Sequence, residues 1–262
     1  MLAVLALLAV GCQESGFDES KETSKPLKVQ HALGETKVPG QAREPLTLTV
    51  DTLDDTLALK VRPARAAVPG AKLPAYLREA GQAVSLMRPV TASDLPAVEA
   101  VHPDLILGSA DGQGKLYEDL SRIAPTVMTE GAGGQWKLNL RLAGEALGRT
   151  NDAEGLLIDY DREAAQTRQA ISGQPQVAVV RATADGLRYA PRDSFAATIL
   201  ADVGVKRVGD IAKADTVLLS SAPGAAHVDG SVTHVDDELW WGSGGPIAAR
   251  AALSELRDAW AG

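Results

Sequence analysis

At 262 residues, with 34 acidic against 26 basic side chains and a net charge of −8, the chain is long enough for one large domain or two small lobes around a real core. Its composition, 45% apolar and 23% charged, excludes wholesale disorder, and the acidic balance without a basic stripe argues against nucleic acid as a partner. The single cysteine, Cys12, excludes a disulfide framework and a cysteine-based structural zinc site.

The chain opens on an uninterrupted apolar run, Met1 to Gly11 (MLAVLALLAVG), that ends at Cys12. As a helix it reaches roughly 16 Å, about half of the ~30 Å of hydrocarbon that a spanning helix crosses. It therefore reads as the core of a secretory signal over 1–11, and Ala9-Val10-Gly11-Cys12 resembles a bacterial lipobox with Cys12 as the lipidated residue. Residues 12–28 are polar, rich in Ser, Glu and Lys, and without periodicity, as expected of a flexible tether to a membrane anchor.

From Pro45 onward short β-type runs alternate with helical patterns, which predicts parallel strands in βαβ units. Strands are predicted over Leu46–Val50, Ala64–Val68, Asp104–Gly108 and Thr126–Met128. Helices are predicted over Asp51–Leu59 and, starting near Pro74, over Leu73–Ala80; Ser109–Gly114 reads as a Gly/Ser/Asp loop. Two longer helices follow, one over about Lys137–Leu147 and one from the capping sequence Thr150-Asn151-Asp152 to Ile171. After the stop at Ser172-Gly173-Gln174-Pro175 come a strand over Val177–Arg181, a helix over Ser194–Leu200, a strand over Thr216–Ser220 and a closing helix over Ile247–Ala259. The expected fold class is α/β: an N-terminal lobe at 29–150, a long interlobe helix at 151–173 and a C-terminal lobe at 174–262. A helical connection permits only limited hinge motion.

The pieces VHPDLILGS (101–109), LYEDLSRIAPTV (116–127), LAGEALGRTNDAEGLLIDYD (142–161), VAVVRATADGLRYAPRDSFAATILADVGVKR (177–207), ADTVLLS (214–220) and DELWWGSGGPIAARAALSEL (237–256) resemble, in this order, the iron-siderophore (ferric hydroxamate or ferric citrate) type of ABC-importer substrate-binding lipoprotein. The resemblance implies a two-lobed periplasmic-binding-protein fold of the helical-backbone type. Here the second lobe is abridged, between Val208 and Asp215 and between Ser221 and Trp240. It implies an extracytoplasmic, lipid-anchored monomer, not an enzyme, that captures an iron(III)-siderophore complex for an ABC permease. In the family an exposed Glu on each lobe docks on the permease. The first-lobe position is Pro96 here, with Glu99 one turn later, and the nearest second-lobe acid is Asp210. The alternatives are a degenerate paralogue with an interaction role in the envelope, or a receptor for haem or cobalamin.

A ferric siderophore arrives with its iron already held by the chelator, so the implied site needs no metal-ligating residues and the protein no resident cofactor. It needs aromatic faces and fixed cations. Arg181 ends a predicted strand, where α/β sheets place their ligand crevice. Trp136 follows a Gly-rich loop, Trp240 and Trp241 precede another, and adjacent side chains diverge, so one of that pair is expected inward and one toward the cleft. Tyr189, with Arg188 and Arg192 in a predicted loop, and Ser109 and Asp111 after the DLILG strand complete the candidate contacts. His227, Asp229, His234, Asp236 and Asp237 lack the spacing of a helical zinc pair and read as a polar loop.

Overall fold

The structure is a computed structural model that describes residues 25–131, 133–171, 173, 175–222, 232–242 and 244–260. The apolar run at 1–11, Cys12 and the tether as far as residue 24 lie outside the described residues, as do His227 and Asp229. The first described element carries no strand pattern visible in the sequence. β1 (Leu27–His31) and β2 (Gly34–Val38) pair antiparallel from Leu27↔Val38 to His31↔Gly34. Gly34, with φ 131°, takes the turn conformation that side chains disfavour. Leu27 and Lys28, expected in the tether, are thus already ladder residues, and Val29 and Val38 are buried in the main core.

The first lobe is built on a parallel sheet. β3 (Pro45–Thr47) is shorter than the alternating LTLTV run predicts, because Thr49 leaves the strand to cap α1 (Val50–Ala58). Its hydroxyl and that of Thr52 form a reciprocal capping box, and those bonds outcompete further ladder pairing. β4 (Arg65–Ala67) and β5 (Leu86–Met87) follow. Between them the predicted helix is a single 3₁₀ turn at Ala75–Leu77, a stretch too short to sustain helical nucleation. Then come α2 (Leu95–Glu99), β6 (Leu105–Ser109), α3 (Ala110–Gln113), α4 (Tyr117–Ile123) and β7 (Thr126–Thr129). The strand order is β5-β4-β3-β6-β7, every pairing parallel, so all C-terminal strand ends face one edge.

Helices α5 (Trp136–Ala146) and α6 (Thr150–Ala170) carry the chain across. The N-cap of α6 is Arg149 rather than Thr150, and no side chain caps it. Its buried stripe of Ala153, Leu157, Tyr160, Ala164 and Thr167 recurs at alternating spacings of four and three residues, which keeps one face inward along the helix.

The second lobe runs β8 (Gln176–Thr183), β9 (Gly186–Tyr189), α7 (Phe195–Asp202), β10 (Lys206–Arg207), β11 (Thr216–Ser221), β12 (Thr233–His234), α8 (Asp237–Trp241) and α9 (Pro246–Trp260). Its sheet has the order β10-β8-β11-β12, parallel, with β9 folded back antiparallel on the C-terminal half of β8. Between β10 and β11 stands one 3₁₀ turn, Ile211–Lys213. β12 is a two-residue strand preceded by residues outside the described set.

One apolar cluster joins the lobes. It contains Leu105, Leu107 and Val127 from the first sheet, Val177, Val179 and Leu218 from the second, and Trp136, Tyr160, Leu253 and Leu256 from the helices between. The closing helix is also tied back to the first lobe. Asp54 of α1 accepts the backbone N–H groups of Ile247 (2.8 Å) and Ala248 (3.0 Å), two of the donors that a helix N-terminus leaves unpaired. A Cβ at Gly245 would lie 2.3 Å from the Asp54 carboxyl carbon, so only glycine permits this approach. Among the described residues no helix is long and apolar enough to cross a membrane.

Candidate functional site

Where the two lobes meet, the segment leaving β7 touches the loops of the second lobe. The Gly134 N–H donates to the Asp193 carbonyl (2.9 Å) and the Thr198 hydroxyl donates to the Gly134 carbonyl (3.3 Å). A cavity of about 340 Å³ opens at this junction, lined by Gly133, Pro191, Asp193, Phe195, Trp240 and Trp241 among others, at the low end of the size range of ligand pockets.

Trp240 and Trp241 divide as adjacent side chains on one helix must. Trp240 is 2% exposed, and its indole N–H donates to Glu255 Oε2 at 2.7 Å. Burial raises the Glu255 carboxyl above the usual carboxylate range despite that bond. Trp241 is half-buried, faces the cavity, and lies 5.9 Å from the Arg181 guanidinium across its ring face.

Arg181 stands near the C-terminal end of β8 and pairs with Asp237 at 2.5 Å, the two side chains 32% and 21% exposed. The sequence did not single out Asp237 as a ligand-site residue. Asp236 takes the N-cap role on α8, accepting from the Leu239 N–H (2.8 Å), which leaves the Asp237 carboxylate free to meet the arginine. The Asp-Asp-Glu start of a helix signals only the cap, and nothing in the sequence ties residue 237 to residue 181.

Around this pair four buried polar atoms have no hydrogen-bond partner among the described residues: Arg181 Nε, Trp241 Nε1, Asp237 Oδ1 and Ser220 Oγ. Ser220 is the ladder partner of Arg181 between β8 and β11. The cluster offers two N–H donors, a carboxylate acceptor and a hydroxyl, backed by an indole face.

The other expected contacts are placed differently. Trp136 is fully buried, 4.8 Å edge-on to Tyr160 and 6.5 Å from Phe195, so it packs the junction between α5, α6 and α7 and does not present a face to ligand. An indole of that size gains more from complete burial than a Gly-rich loop can offer at the surface. Ser109 is also buried: its hydroxyl accepts the Gly112 N–H (3.1 Å) as the N-cap of α3, which is why the predicted loop is a helix there. Arg188 and Tyr189 lie in β9 rather than in a loop. Arg188 is directly opposite Arg181 and Tyr189 opposite Val180, so Tyr189 is turned to the face away from Arg181. Arg192 is exposed in the loop before α7, and among the described residues neither it nor Arg188 has an ion-pair partner. Asp111 reaches toward Gly131, where a Cβ would collide with its carboxylate. Pro96 and Glu99 are exposed on α2. Asp210 is half-buried, with one carboxylate oxygen accepting the Ala212 N–H at 2.9 Å. Among the described residues no three His, Cys, Asp or Glu side chains are grouped to hold a metal ion.

Comparison with known proteins adds to this geometry. A family profile described as periplasmic binding protein matches residues 47–221. A probable siderophore-binding lipoprotein of Bacillus subtilis, YfiY, is 30% identical over 79% of this chain and 65% of its own length. A putative ABC transporter substrate-binding lipoprotein of the same organism, YhfQ, is 24% identical over 78% of this chain and 65% of its own. The chain thus spans just under two thirds of these relatives. Among solved structures, Staphylococcus aureus SirA complexed with staphyloferrin B superposes with a TM-score of 0.77 at 24% identity, over 88% of this chain and 97% of that one.

Proposed function

The chain belongs to the periplasmic binding protein family, and from that membership we propose that it is the extracytoplasmic substrate-binding component of an ABC importer and takes an iron(III)-siderophore as cargo. The name of YfiY supports this ligand class and that of YhfQ the importer role. The observation that carries the reading is the Arg181–Asp237–Trp241 cluster beside the cavity between the lobes. A cation over an indole face, with uncommitted donors on both, suits the anionic oxygens and apolar arms of a chelate whose iron needs no ligand from the protein. Arg188 and Arg192 extend the positive wall. Delivery to a permease follows in this reading, with exposed Glu99 as the first-lobe contact. Asp210, half-committed to its own turn, is the weaker second-lobe one. Lipidation at Cys12 keeps a monomer at the membrane, and the protein performs no bond chemistry. The core shared by both sheets limits closure to small adjustments of loops around a preformed groove.

Tryptophan fluorescence tests the proposal. Trp136 is sealed in the core and Trp240, though it lines the cavity, is 2% exposed, so a ligand in the groove reports chiefly through Trp241. Ferric catecholate, hydroxamate and citrate-type complexes are titrated against the same chelators without iron. Quenching by one ferric class, lost in Trp241→Phe, is the expected result; no response to any ferric complex overturns it.

A further inference from the structure

The N-terminal edge of the first-lobe sheet, the end away from the groove, carries a second cavity. Its volume is about 840 Å³, and its wall is made by the residues that precede β3, β4, β5 and β6. Five cationic side chains line it, Arg43, Lys60, Arg62, Arg65 and Arg149, against one carboxylate, Glu44. The wall is therefore formally +4 in a chain of net −8, so everything else sums to −12.

Ordinary solvated surface interleaves its charges, and this chain does so elsewhere: Arg122, Arg141, Arg162 and Arg250 each pair with a carboxylate. Arg43, Lys60, Arg62 and Arg65 have no such partner among the described residues. The neighbouring acid, Asp104, is turned to the backbone, accepting the N–H groups of Arg43 (2.6 Å) and Glu44 (3.0 Å). Arg149 reaches Asp152 at 3.6 Å, yet its Nε is buried without an acceptor. Lys60 closes α1 with φ 58°, a left-handed position that glycine fills at less cost, and so sets an ammonium group at the rim of this wall. Like charges gathered on one wall repel, and the concave wall concentrates their field on the space it encloses.

We propose that this cavity binds a phosphate-bearing anion of two or more charges, at a site independent of the groove beside Trp241. Guanidinium forks match phosphate oxygens bidentately, and the volume exceeds that of a single phosphate, which admits a pyrophosphate-sized group or a phospholipid headgroup.

The test uses the full chain and isothermal titration with inorganic pyrophosphate at 50 and 200 mM salt. A parallel arm measures co-sedimentation with vesicles of phosphatidylglycerol and phosphatidylcholine at one to three. Arg43→Ser combined with Arg62→Ser removes two exposed heads without touching the core, and Arg122→Ser is the control for diffuse charge. The expected result is pyrophosphate binding that weakens at the higher salt, falls at least tenfold in the double variant and is unchanged in the control. Fluorescence response to the ferric ligand stays the same in all three proteins. Vesicle binding that the double variant alone loses, without pyrophosphate binding, assigns the same wall to a headgroup. Absence of binding in both arms, or equal losses in the double variant and the control, overturns the proposal.

Discussion

In the first lobe, α1 carries Asp51, Asp54 and Asp55 at buried positions with no ion-pair partner among the described residues, whereas in the second Arg181 and Asp237 meet at 2.5 Å and keep part of their surface in water. The three aspartates have lost their solvent without gaining a cation. Burial pushes Asp54 up to about 7 even though two backbone N–H groups favour its charged form, and it raises Asp51 as well. Burial, with Asp54 and Asp51 beside it, drives Asp55 well above its ordinary value, and neither of its oxygens has a hydrogen-bond partner among the described residues. The second-lobe pair shows the opposite solution, in which a half-buried carboxylate stays near its arginine because each offsets the other's desolvation. One arrangement serves the fold, anchoring α9 to α1; the other keeps part of a paired charge in contact with water beside Trp241.

Breaking the first arrangement has the largest expected effect. Asp54→Ala leaves the Ile247 and Ala248 N–H groups buried without acceptors and costs about 3–5 kcal/mol, read from urea denaturation. A loss under 1 kcal/mol would show that α9 does not depend on this cap.

Next in size is the pH dependence. Asp54 has a folded pKa raised above its unfolded value, so the unfolded chain releases that proton first as pH rises. Its contribution is fully present below about pH 4, declines toward pH 7 and is level beyond, a change of roughly 4 kcal/mol. Asp54→Asn, which does not titrate, is expected to remove that slope, so the variant gains on the native chain between pH 4.5 and 7.5. Parallel stability curves for the two proteins would refute the assignment.

The smallest effects sharpen the second arrangement. Arg181→Ala is expected to weaken an anionic ferric ligand by about 1.5–3 kcal/mol, whereas Asp237→Asn releases the guanidinium from its partner and strengthens binding severalfold. Equal losses in both variants would mean that the pair acts as a structural clamp and not as a ligand contact.

Much of the fold was legible in the amino acids because periodicity and caps are local. The extent of α6, the buried LILG and VLL runs and the closing helix all lie within a residue or two of where the pattern places them. The failures are equally local in cause. Thr49 and Ser109 carry side chains that serve as caps, and a cap ends a strand or starts a helix where the apolar pattern alone extends a strand or leaves a loop. The hairpin of β1 and β2 has polar outward faces and earns its place only by laying Val29 and Val38 on the core.

The sequence by itself determined the α/β class, the two lobes with a long helix between them and the family, because each rests on short-range patterns and the order of motifs. Only the tertiary structure decided which tryptophan is sealed and which is bared, that Asp237 answers Arg181 across 56 positions, and that a chain of net negative charge gathers five cations around one hollow. Burial and pairing depend on what distant segments bring to the same place, and linear spacing holds no record of that.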